Sequence, residues 1–228
     1  MSDINLNLIL AIFIGFGSTL IQSLTGFGLS IVSTPLFLMV YDPKQVVLIL
    51  QVICVVINIF FAIALRKNVD YRFLLILFIG SLLGQPLGLL IFQIAPNNIL
   101  KIFVSLIILF FLIIMQLNHK KITETTLKTG ITGVLSGILT TATSMGGPPL
   151  ILYLTNANRD KVSMRATCIA YFAITNISAI IIFLMGNTDF TFAIEQSIYL
   201  LPFCFIGLWI GNKLFPYLSQ KCLIALYL

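Results

Sequence analysis

The chain has 228 residues, 59% of them hydrophobic and 9% charged, with a net charge of +6 and a mean hydropathy of +1.10. Residues 6–40, 46–65, 73–100 and 102–117 contain no Asp, Glu, Lys or Arg. A bilayer core about 30 Å thick is crossed by about 20 apolar residues in a helix, so these runs exclude a water-soluble core and define an all-α polytopic membrane protein. The basic residues sit in short clusters between the apolar runs, where they read as topology signals and not as a nucleic-acid surface.

In chain order, Met1 to Asn5 carries no basic residue. A secretory signal needs a basic start and a small-residue cleavage site, so the first apolar run is expected to stay in the mature protein. Region 5–41 is too long for one span and is broken at Thr25-Gly26-Phe27-Gly28. Helices are predicted over 45–65, 72–93 and 98–117. Region 128–156 is broken again at Ser144-Met145-Gly146-Gly147-Pro148-Pro149, and helices are predicted over 163–185 and 190–214, with an incomplete one over 219–228. Glycine weakens helices, and consecutive prolines remove donors and fix φ, so each broken region is expected to be two short arms around a break. The last helix has about half the length of its counterpart in the first half, which predicts a truncated chain.

Lys and Arg discriminate between arrangements. If each broken region is a hairpin, one face receives Arg66, Lys67, Arg72, Lys120, Lys121, Lys128, Arg159, Lys161, Arg165, Lys213 and Lys221, and the other only Lys44 and Lys101. If each were a single span, the bias would vanish. Cytoplasmic loops carry the excess of Lys and Arg, so the hairpins are preferred, re-entrant or half-crossing, with the N-terminus outside. Irregular backbone at that depth is tolerated where it is buried in protein or lines a cavity.

The halves also repeat. Gly15, Gly28 and Asn58 match Gly133, Gly147 and Asn176 at shifts of 118 to 119, and Gly84-x-x-x-Gly88 matches Gly207-x-x-x-Gly211. The reading is a single compact unit made of two inverted repeats, 1–125 and 126–228, each a broken or re-entrant hairpin plus three transmembrane helices. Secondary transporters recurrently use this plan, with the site at the repeat interface near the midplane.

Polar residues gather at the breaks. The candidate site residues are Gln22, Thr25, Gly26, Gly28 and Asn58 in the first half, and Thr143, Ser144, Gly146, Gly147, Pro148 and Asn176 in the second. Single Ser, Thr or Asn residues in membrane helices often only join helices; their symmetric placement favours a cavity. The arms after Gly28 and Gly147 are expected to begin with free backbone N–H groups, and helix N-termini attract anions. Arg165 reads equally as a topology charge or as a pathway entrance. Glu195 reads as an interfacial carboxylate, His119 as a solvated loop residue, and Gly84, Gly88, Gly207 and Gly211 as packing positions. Cys54, Cys168, Cys204 and Cys222 lack metal-ligand spacing and are expected to be reduced thiols. No cofactor or metal is expected. Hydrolase, zinc-protease and nucleotide-binding motifs do not occur, so an enzyme is not expected.

Leu24-Thr25-Gly26-Phe27-Gly28 followed by Pro35-Leu36, and Gly146-Gly147-Pro148-Pro149-Leu150, occur together with Asn68-Val69-Asp70-Tyr71-Arg72 and with Arg165-Ala166-Thr167 ahead of Asn176. In these motifs the chain resembles the TauE/SafE sulfite-exporter-like family of membrane permeases over nearly its whole length. The resemblance implies transport of sulfur-containing anions or organosulfonates across a bacterial cytoplasmic membrane. The leading expectation is therefore a secondary permease for a small anion. A passive anion channel and a non-transporting membrane subunit are the alternatives. The expected partners are the lipid bilayer and a small anionic substrate, with a homo-oligomer left open.

Overall fold

The computed structural model describes residues 2–26, 29–117, 124–155 and 160–215. Among them are nine α-helices and no strand: α1 Ser2–Thr25, α2 Leu29–Phe37, α3 Pro43–Leu65, α4 Tyr71–Ile94, α5 Asn97–Leu117, α6 Thr126–Thr143, α7 Gly147–Thr155, α8 Lys161–Met185 and α9 Thr191–Leu214. The proposed last helix, 219–228, lies outside the described residues, as do Gly28, His119 and Cys222.

The helix starts are written in the sequence. Asp70 is the N-cap of α4, its carboxylate accepting from Phe73 N at 3.1 Å. Asp160 does the same for α8, accepting from Val162 N and Ser163 N. α3 begins at Asp42-Pro43, with the Asp42 N–H donating to Gln45 Oε1 at 3.2 Å. Capping of this kind satisfies donors that helix geometry leaves orphaned, and Pro is favoured where its missing N–H costs nothing.

Five described helices are long and apolar enough to cross a membrane: Leu6–Thr25, Pro43–Asn68 including a short tight turn at its end, Tyr71–Ile94, Val162–Met185 and Thr191–Leu214. Asn97–Phe111 adds a shorter apolar stretch. Large apolar side chains such as Phe13, Leu83, Ile94 and Trp209 point outward. Polar ones such as Gln51, Asn58, Ser81 and Gln85 are buried. That inversion of the soluble pattern suits lipid outside and a polar interior.

The arms of the two broken regions depart from expectation. The second arms, α2 and α7, have nine residues each. The first arms are not short: α1 has 24 residues and α6 has 18. Glycine does not shorten them because Gly15 and Gly133 lie inside packed interfaces, where a missing Cβ permits close approach. Both regions fold back to the end where they start. Thr129 near the start of α6 hydrogen-bonds Tyr153 near the end of α7, Oγ1 to OH, at 2.9 Å. Tyr41, beyond α2, donates its OH to Gln196 Oε1 at 3.0 Å near the start of α9, and α1 runs parallel to α9.

Two glycine-mediated seams hold the bundle. On one, α4 lies along α6, and a Cβ on Gly84 or Gly88 would overlap the carbonyls of Val134 or Ile138. On the other, α9 lies along α1, and Gly207 and Gly211 face the carbonyls of Phe16 and Leu20. Val134 and Ile138 are Phe16 and Leu20 shifted by 118, so equivalent positions make equivalent contacts. Between the seams α3 packs on α8. The two ends of the bundle differ in charge. Lys44 Nζ donates to Gln93 O at one end. At the other, Asp70 N donates to Thr167 Oγ1 at 2.9 Å, joining two of the sequence motifs that carry the family resemblance.

Candidate functional site

Both breaks turn through a left-handed residue. Gly26 has φ +87° and Ser144 has φ +59°, and they are 118 positions apart. Thr25 and Thr143, just before them, donate their hydroxyls to the carbonyls of Ile21 and Leu139 at 2.9 and 2.8 Å. A left-handed turn at a helix end satisfies last-turn carbonyls and redirects the chain. Here it folds the second arm of each hairpin back against the first, α2 on α1 and α7 on α6.

A cavity lies where these elements meet. Of the candidate residues, Gln22, Asn58, Ser144, Gly146, Gly147 and Asn176 line it, and Leu29, Ser30, Ile31, Cys54, Thr140 and Phe172 complete the wall. Thr25, Gly26, Thr143 and Pro148 do not line it; the two threonines have spent their hydroxyls on their own helices. Gln22 Nε2 donates to Asn58 Oδ1, and Asn176 Nδ2 donates to Phe172 O at 2.7 Å. Gln22 Oε1 and Ser144 Oγ are buried and have no hydrogen-bond partner among the described residues. A buried polar group without a partner costs about 1–3 kcal/mol. The cavity is about 20 Å³, room for about one water and less than an oxyanion fills.

The backbone contributes unequally. α2 opens with Leu29, Ser30 and Ile31, which line the cavity and each carry a backbone N–H. α7 opens with Gly147-Pro148-Pro149, and the two prolines have no N–H. The expectation of matching free donors at both arms is corrected accordingly: the donors at the second break are limited to those around Gly146, Gly147 and Leu150.

Arg165 is 5% exposed, so its charge is held within the bundle. Its guanidinium lies 3.8 Å from the Phe215 ring centre and 4.8 Å from that of Phe61, and Nη2 donates to Asn212 Oδ1 at 3.1 Å. Its backbone sits 3.0 Å from where a Cβ on Gly26 would be. Arg165 thus supports the first break from behind. Glu195 is exposed. Cys54, Cys168 and Cys204 are buried free thiols, and among the described residues no group of three or more His, Cys, Asp or Glu could hold a metal.

Two residues escaped the sequence reading. Gln51 on α3 donates to Thr140 O at 2.7 Å, and Gln85 on α4 donates to Thr175 O at 2.8 Å. Both are fully buried and tie the first half to the second. Cys54 and Phe172 were legible in principle, each lying one turn before an asparagine on the same helix face.

Long apolar helices and two interrupted hairpins, around a cavity that no carboxylate or amine lines among the described residues, define a multi-pass membrane protein. The family model described as Sulfite exporter TauE/SafE matches residues 11–228, and the chain belongs to that family of membrane transporters. No curated protein and no solved structure matches the chain.

Proposed function

We propose that the protein is a secondary permease for a small sulfur-containing oxyanion or sulfonate, bound between the two breaks. The observation that carries this reading is the convergence of unpartnered, buried Gln22 Oε1 and Ser144 Oγ with the N-terminus of α2 in one uncharged cavity. Ser144 supplies a hydroxyl donor. Turning over the Gln22–Asn58 amide pair presents an NH2 group to the cavity instead of an oxygen. The N-terminus of α2 adds partial positive charge. An anion is thereby held by dipoles alone, strongly enough to select and weakly enough to release.

The same reading includes two inverted repeats, supported by the contacts related by a shift of 118. It places the end bearing Arg72, Lys128 and Lys213 in the cytoplasm of a bacterial cell, and the N-terminus outside, supported by the bias of Lys and Arg toward that end. The small cavity, about 20 Å³, favours a carrier over an open pore, since a carrier exposes its site to one side at a time.

The test is a thermal-shift screen of the purified protein across sulfite, sulfate, thiosulfate, sulfonates and carboxylates, followed by counterflow in proteoliposomes. The expected result is stabilisation by a sulfur oxyanion or sulfonate together with trans-stimulated flux. Flux without trans-stimulation identifies a channel; folded protein with neither binding nor flux identifies a non-transporting subunit. A glycine pair localises the site. A Cβ on Gly147 meets the flexible tip of Ile31 at 2.8 Å, whereas one on Gly84 meets the Val134 backbone. Gly147→Ala is therefore expected to weaken binding more than folding, and Gly84→Ala the reverse.

A further inference from the structure

One face of α6 is a line of hydroxyls. Thr125, Thr129, Thr132, Ser136, Thr140 and Ser144 recur at intervals of three or four and so share a side of the helix. The line begins at a vestibule of about 370 Å³ that includes Asp70, Arg72, Glu124, Thr125 and Thr129. It ends at the cavity, which Thr140 and Ser144 line. Beyond Thr125, every member is buried.

The chemistry of the line is specific. Thr132 donates to Lys128 O, Ser136 to Gly146 O and Thr140 to Ser136 O, at 2.9, 2.6 and 2.7 Å. With their protons committed to carbonyls, these hydroxyls can only accept. An accepting wall does not suit an anion; it suits a donor such as water. Beside it lie three fully buried polar atoms, Tyr171 OH, Thr175 Oγ1 and Gln85 Oε1, that lack a hydrogen bond of normal geometry among the described residues. The Tyr171 hydroxyl lies next to Ser136, Thr175 and Ser81.

The other half shows that this is not required by the fold. Shifting back by 118 places Ala11 and Ile14 opposite Thr129 and Thr132, and Ile53 and Ile57 opposite Tyr171 and Thr175. The α4 residues Ser81 and Gln85, aligned through the Gly84 and Gly207 match, correspond to Cys204 and Leu208. Those residues belong to or border an apolar core; the buried polar residues beside it are Ser18, Thr19, Ser33, Thr34 and Ser197, of which Thr19 and Ser197 donate to carbonyls of their own helices and Ser18, Ser33 and Thr34 make no side-chain hydrogen bond among the described residues.

We infer that the hydroxyl face of α6 is a hydrated route that gives water and protons access to the cavity from the vestibule, while its counterpart along α1 is sealed. The inference rests on the reading of the cavity as the transport site. Along the route the titratable and charged groups are Asp70, Arg72 and Glu124 at the mouth, Tyr153, Tyr171 and Cys168 beside Tyr171 on the way, and Cys54 at the cavity. No carboxylate or amine lines the cavity among the described residues, so a proton arriving there goes to an oxygen of a bound oxyanion basic enough to hold it, such as sulfite; a sulfonate is too weak a base and would cross unprotonated. One O–H bond of hydronium breaks and one O–H bond on the substrate forms. The route thereby couples anion movement to a pH gradient.

Cysteine accessibility tests the route independently of flux. In full-length protein whose four native cysteines are replaced, Thr132→Cys and Ser136→Cys are expected to react with a small, membrane-impermeant methanethiosulfonate added on the vestibule side of membrane vesicles. Ile14→Cys is expected to be unreactive from either side. Thr132 and Ser136 variants that stay folded, by thermal unfolding, yet are as unreactive as the position 14 variant would overturn the inference. In proteoliposomes, the near-isosteric Thr132→Val is expected to lower the ratio of pH-gradient-driven uptake to equal-pH exchange several-fold; an unchanged ratio counts against the route. If the parent protein moves no sulfur anion, the functional reading fails while the labelling result still decides the route.

Discussion

The two breaks reach the same turn by different means. At the first, glycine is required twice over: Gly26 has φ +87°, and the backbone of Arg165 occupies the space its Cβ would need. At the second, Ser144 carries a side chain through φ +59°, and the space is made two and three residues later. The missing Cβ of Gly146 leaves room for the Thr140 hydroxyl and the Ser136 carbonyl. The turn therefore demands one left-handed residue and one missing side chain, but not at the same position. Where the two demands coincide, the site tolerates nothing; where they are separated, the left-handed residue is free to carry a functional hydroxyl.

The largest effect that sharpens this contrast is expected from Gly26→Ala. Strained backbone and the approach to Arg165 together should remove about 1–3 kcal/mol of stability, against less than about 1 kcal/mol for Ser144→Ala, where the strain is already present. Thermal unfolding in detergent measures both, and equal losses would erase the distinction between the breaks. Next come the asparagines. Asn58→Leu and Asn176→Leu should both abolish flux, but only the first strands a partner, Gln22. It should cost about 1 kcal/mol more than the second, and a folded double variant with normal flux removes both residues from the site. The smallest effect is expected from Ser144→Gly. Releasing a left-handed serine should stabilise the protein by less than about 1 kcal/mol while anion affinity falls; affinity equal to that of the parent would show that the hydroxyl is not a ligand.

Much of this architecture is visible in the sequence because lipid imposes a simple rule. Charge-free runs, and the Asp residues that begin α3, α4 and α8, locate the long helices; spans read as 45–65 and 72–93 run over Pro43–Leu65 and Tyr71–Ile94. The breaks are visible because Gly and Pro act locally. The length of α1 was not, because whether a glycine interrupts a helix depends on the neighbour it packs against, here α9. Gln51 and Gln85 were overlooked for a related reason: each bonds a carbonyl in the other half, and no local pattern announces that. Arg165 was ambiguous because a charge near a helix start is the same in sequence whether water or two aromatic rings receive it.

The two glycine seams bear on how the molecule is made. α1 packs along α9, which lies almost the whole chain away. During synthesis α1 must enter the bilayer with Gly15, Thr19, Gln22 and Ser23 facing lipid or transient partners until α9 follows. Contacts this distant in sequence form late, so the first hairpin is completed only when α9 arrives. A chain stopped before α9 would leave a polar helix face uncovered in the membrane, a target for quality-control proteolysis rather than a functional half.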